Sequence, residues 1–113
     1  MNSPLRRFKA QIFQALAHPT RIAVVEALRD GEVSAGVLLA RLQVEQANLS
    51  QHLAVLRAKQ VVVSRKDGNQ MHYTLRDPVL VQVLDLLKQY FNSHLAESIA
   101  LLGEMNADEE PGA

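Results

Sequence analysis

The chain has 113 residues, 48% of them hydrophobic and 21% charged, which suffices for one small core and leaves no room for a second. Cysteine and tryptophan are absent, which excludes disulfides, thiolate metal sites and thiol switches, and with few aromatic residues leaves no large stacking platforms for single-stranded nucleic acid. Twelve Lys and Arg balance twelve Asp and Glu, but Arg6, Arg7 and Lys9 fall near the start and Asp108, Glu109 and Glu110 near the end, so the neutral total hides a basic body and an acidic tail.

Taken in chain order, Leu5, Phe8, Ile12, Phe13 and Leu16 recur at helical spacing and predict an amphipathic first helix over 5–17. His18-Pro19-Thr20 interrupts it. Proline suits the first turn of a helix, so a second helix starts there, turns Ile22, Val25 and Leu28 inward and stops at Asp30-Gly31. Ser34 is a good N-cap for a short third helix carrying Val37, Leu38 and Leu42.

The fourth helix lies within 45–59. Leu49, Leu53 and Leu56 fall at i, i+4 and i+7 and define its buried face, while Ala47, Gln51, Ala54 and Ala58 lie opposite, flanked by Asn48 and Ser50. A merely solvated face usually mixes Glu and Lys. This one is small and uncharged-polar, which suits close approach to another surface.

The period then changes from helical to alternating. Val61 to Arg65 is β-branched, Asp67-Gly68-Asn69 signals a turn, and Met71 to Leu75 forms a second strand, which together predict a hairpin with Arg65, Lys66, Asn69 and Gln70 at its tip. Asp77-Pro78 opens a last helix whose apolar residues, Leu80 to Leu102, continue to Gly103. The expected organisation is one domain over 1–105 and a disordered acidic tail over 106–113. Apolar stretches are short or amphipathic, and a soluble, cytoplasmic protein without membrane segments is expected.

Two short helices, the second with a small polar outer face, followed at once by a basic-tipped hairpin, are the order of a winged helix-turn-helix. The fold class is thus mainly α with a small β-hairpin: about five helices and a two-stranded wing. A helix fits the major groove of double-stranded DNA, where amide and hydroxyl groups read base edges, while wing cations meet phosphates or the minor groove. Gln46, Ala47, Asn48, Ser50, Gln51 and His52 are the candidates for the helix, and Arg65, Lys66 and Asn69 for the wing. Arg21 is expected to brace the helix junction and to face the DNA backbone. Arg6, Arg7 and Lys9 remain open between a solvated face and phosphate contacts.

The chain resembles the arsenic-repressor (ArsR-type) family of winged-helix transcription regulators over about residues 11–77. The resemblance rests on Ala15-Leu16-Ala17-His18-Pro19-Thr20-Arg21-Ile22, on Leu49-Ser50-Gln51-His52-Leu53-Ala54-Val55-Leu56-Arg57, and on Arg65-Lys66-Asp67-Gly68 with Tyr73. It implies a homodimer joined through the first and last helices, a repressor acting on an inverted-repeat operator. The family's wing commonly carries Arg or Lys after the glycine, where this chain has Asn69. Its thiolate sensors place cysteines where this chain has Glu32-Val33-Ser34-Ala35-Gly36. Its zinc sensors pair Asp-x-His with His-x-x-His or His-x-x-Glu in the last helix; His94-Leu95-Ala96-Glu97 matches the second pair, but Asp77-Pro78-Val79 lacks the histidine. No metal or other cofactor is therefore expected, and the inducer stays open.

An enzyme is disfavoured, since the histidines and carboxylates are scattered and no nucleotide-binding glycine loop is present. The rival reading is a winged-helix module for protein–protein interaction, because fold alone does not fix function.

Overall fold

A computed structural model describes residues 3–109, in the order α1 (Pro4–Leu16), α2 (Pro19–Ala27), β1 (Val33–Ser34), α3 (Ala35–Leu42), α4 (Gln46–Ala58), β2 (Val62–Asp67), β3 (Gln70–Leu75) and α5 (Val79–Glu109). The chain divides into two compact units, one ending at Val81 and the other beginning at Gln82 within α5.

Short side chains start the helices of the first unit. Ser3 Oγ accepts the Arg6 N–H at 3.0 Å and Pro4 needs no partner for a missing N–H, so α1 begins there. His18 does the same for α2: its Nδ1 accepts the Thr20 N–H at 3.1 Å, ahead of Pro19. Ser34 caps α3 as its sequence context predicts, accepting the Val37 N–H at 3.2 Å. The turn from α3 into α4 needs a left-handed residue and takes it from Gln43, φ 52°.

α4 ends in a Schellman motif. The Val61 N–H bonds the Leu56 carbonyl and the Gln60 N–H the Arg57 carbonyl, with Gln60 at φ 59° where glycine is the usual occupant. A side chain in that conformation costs about 1–2 kcal/mol, which the apolar anchoring on either side, by Leu56 and Val61, offsets.

The core of this unit is apolar throughout. Val24, Val25 and Leu28 of α2 and its C-cap, Leu38 of α3, Leu49, Leu53 and Leu56 of α4, and Val62, Tyr73 and Leu75 of the sheet are buried, and no polar or charged residue is buried among the described residues. Ile22, expected inward, is only half-buried; Val24 takes its place.

Three expectations are corrected. The wing is a three-stranded antiparallel sheet, order β1-β3-β2, because Val33 and Ser34 pair with Tyr73 and His72. Two residues are too short to print a strand period, and Ser34 already reads as a helix cap. The hairpin strands reach to Asp67 and Gln70, leaving a two-residue Gly68-Asn69 loop whose first position, Gly68 at φ 62°, requires the glycine. Finally, α5 runs through Gly103 to Glu109, since one glycine costs a helix only about 1 kcal/mol and does not stop it. The rest of the expected tail, 110–113, lies outside the described residues.

Within the second unit α5 carries many exposed large apolar side chains, among them Leu87, Phe91, Leu95, Ile99 and Leu102. Among the described residues no helix is long and apolar enough to cross a membrane.

Candidate nucleic-acid interface

The burial of Leu49, Leu53 and Leu56 sets the rotation of α4. It leaves Gln46, Ala47, Asn48, Ser50 and Gln51 exposed as one uncharged arc over the first two turns. The flank of α4 that carries Gln46 and Ser50 faces the wing across a groove of about 400 Å³, lined on the wing side by Asn69, Gln70 and Met71 and elsewhere by Ala35 and Gly36 of α3 and the buried Leu49, Leu53 and Tyr73. Of the expected contact residues, Gln46 and Ser50 of α4 and Asn69 of the wing thus border one groove, while Ala47, Asn48, Gln51, Arg65 and Lys66 lie outside it.

On the sheet, strand alternation decides what faces where. Val62, Ser64 and Lys66 share the face that carries buried Tyr73 and Leu75, while Val63, Arg65 and Asp67 share the opposite, outer face with His72. Arg65 and Lys66, expected to act side by side, therefore point to opposite sides of the wing.

Their electrostatic states differ as well. Lys66 is exposed and carries no ion pair among the described residues. Arg65 is held in a two-pronged pair: its Nε and one terminal nitrogen donate to the two carboxylate oxygens of Glu32, each at 2.6 Å. Its other terminal nitrogen lies 3.9 Å from Asp67 Oδ2, and His72 Nδ1 lies 3.7 Å from Glu32. The Arg65 hydrogen bonds hold the Glu32 carboxyl below its ordinary 4.5 against a smaller opposing effect of burial, and the same contact raises Arg65. Sequence reasoning missed Glu32. Its partner is 33 residues away, and nothing local marks it.

His52 leaves the exposed arc. It is half-buried, its ring centroid 4.1 Å from that of His18 and tilted by 42°, so α4 leans on the N-terminus of α2. Burial first, then the charges of His18 and Arg21, push His52 below its ordinary 6.5. Arg21 is half-buried, with Nε enclosed and unpartnered among the described residues. Because the unfolded chain takes up the His52 proton before the folded one, stability from this site is complete above pH 6.5 and declines as the pH falls below it. The melting temperature should drop between pH 7.5 and 5.5, and His52→Gln should shrink that drop; a Gln variant with the full drop would assign it elsewhere.

His94 and Glu97 lie on α5. Among the described residues no three His, Asp or Glu side chains come together in a way that could hold a metal ion.

A helix-turn-helix domain model matches residues 16–65, from the end of α1 into the wing. The HTH-type transcriptional regulator Rv0081 of Mycobacterium tuberculosis is 37% identical over 107 residues, covering 94% of each chain. The chain belongs to the ArsR-type winged helix-turn-helix transcriptional regulators. The biofilm growth-associated repressor of Agrobacterium fabrum is 35% identical over 82 residues, covering 73% of this chain and 70% of that protein. The crystal structure of Rv0081 superposes with a TM-score of 0.75 over 87% of this chain and 99% of its own. HlyU from Vibrio cholerae does so with a TM-score of 0.72 at 31% identity, over 80% and 98%. This ArsR-type regulator is thus a DNA-binding transcription factor by family and not an enzyme.

Proposed function

We propose that this regulator is a cytoplasmic repressor that binds, as a homodimer joined through α1 and α5, to an inverted-repeat operator. Gln46, Asn48, Ser50 and Gln51 read base edges, with Ala47 allowing close approach; Lys66 and Asn69 serve the backbone at the wing, and Arg21 and His52 lie beside the backbone at the α2–α4 contact. Arg65 joins them only when released from Glu32. The observation that carries this reading is the exposed, uncharged polar arc of α4, whose Gln46 and Ser50 flank faces the wing across a groove, since a face without Glu or Asp meets DNA with no charge repulsion. Relatives include both a repressor and a protein described as a transcriptional activator, and we propose the repressor's role for this chain.

The test is binding to duplexes from the gene's own upstream region at several salt concentrations. Saturable binding to an inverted repeat, at least a thousandfold tighter than to a scrambled duplex, is expected for a specific regulator. Weak, wholly salt-labile binding that ignores sequence would favour the protein-interaction module instead.

A further inference from the structure

The outer face of the wing is not basic. One guanidinium, Arg65, sits between two carboxylates, Glu32 and Asp67, and both oxygens of Glu32 are hydrogen-bonded to it. Glu32 precedes β1 and Arg65 lies on β2, so the contact spans the middle strand β3 and closes over His72, the register partner of Arg65. A phosphate approaching this face meets more negative than positive charge. With Glu32 neutralised, Asp67 still stands 3.9 Å from one terminal nitrogen, but the Nε edge that Glu32 occupies would be open, with the fork geometry that phosphate accepts.

We propose that Glu32 is an electrostatic brake on DNA binding, occupying the phosphate-binding edge of Arg65 and setting how tightly the wing holds the DNA backbone. The inference rests on the wing's proposed role in DNA binding. The magnitudes make it a brake and not a block. An exposed ion pair is worth a factor of about two to five, and side-chain exposures of 55% for Arg65 and 33% for Glu32 put this pair in that class. One further phosphate contact is worth about five-fold at 0.15 M salt, from a slope of about 0.9 per contact. The two are close to balance, so the acid removes most of what Arg65 would otherwise add, on any sequence. The neutral-pH charge of Glu32 is secured by the same hydrogen bonds that lower its pKa.

The experiment measures affinity for operator and for scrambled duplex, across a salt series, for the full-length protein and for Glu32→Gln. Glu32→Gln should bind both duplexes about two- to five-fold more tightly at 0.15 M salt and steepen the salt slope by up to about 0.9. Adding Arg65→Ala to Glu32→Gln should return both quantities to the unsubstituted values. Arg65→Ala alone should change them little. Thermal melting of each variant checks folding, and Glu32→Ala repeats the test should the glutamine variant melt early. Unchanged affinity and slope in Glu32→Gln would overturn the brake. So would a loss confined to the operator, which would make Glu32 a positioning residue for a base contact by Arg65. If the unsubstituted protein binds neither duplex, it is the DNA-binding reading that fails.

Discussion

Phe91→Asp is expected to convert the protein from a dimer to a monomer in sedimentation at micromolar concentration. The reason lies in the exposed side of α5, where Leu87, Phe91, Leu95, Ile99 and Leu102 follow one another at three- and four-residue steps and are 42–60% exposed. A single exposed leucine needs no explanation, but a contiguous stripe along a 31-residue helix does. In the proposed dimer a second copy of the same helix would bury it with matching period, and Leu5, Phe8 and Phe13 of α1 are further exposed apolar side chains. In a two-fold interface each substitution acts twice. Losing about 2 kcal/mol of burial on each side weakens association by about three orders of magnitude, before the cost of facing two carboxylates is added. Operator affinity should collapse with it, since a monomer engages one half-site. The substituted side chain is already exposed in the single chain, so its melting curve should still show a folded unit. An unsubstituted protein that sediments as a stable monomer would sink the dimer and with it the inverted-repeat operator.

The parts of this molecule legible from its sequence are those whose physics is local and periodic. Leu49, Leu53 and Leu56 give α4 its rotation, and every other position on that helix follows from them. Ser34 and Pro19 mark helix starts because an N-terminus has only a few ways to satisfy its free N–H groups. What stayed hidden is either too short or too distant. Val33-Ser34 has no room for a strand period, and Glu32 meets Arg65 only once β1 and β2 flank β3. The split between Arg65 and Lys66 is a different case. Neighbouring residues on a strand point to opposite faces, so treating them as one basic tip overlooked a rule already contained in the reading of the hairpin. The histidines show the same limit: His18 is legible as a junction residue, whereas its contact with His52 needs α2 and α4 packed together.

Gln51→Ala and Lys66→Ala are expected to fail in different ways, and the difference tests the docking of helix and wing. Gln51 lies on the exposed arc of α4 with the core leucines behind it, and an amide there offers the paired donor and acceptor that an adenine edge accepts. Its loss should cost about 1–3 kcal/mol on the operator, roughly 5- to 150-fold, with little change on scrambled DNA and an unchanged salt slope. Lys66 is an exposed cation on the core-bearing face of the wing, without a carboxylate partner among the described residues. Its loss should weaken both duplexes alike and flatten the slope by about one unit. Arg65→Ala supplies the internal control, because Glu32 already holds its charge; a sequence-independent loss as large as that of Lys66→Ala would mean that DNA displaces Glu32 completely. If Gln51→Ala instead weakens operator and scrambled duplex equally, α4 is meeting phosphates and not bases. The recognition surface would then have to be sought on the other flank of the helix, between Asn48 and His52, where α4 leans on α2.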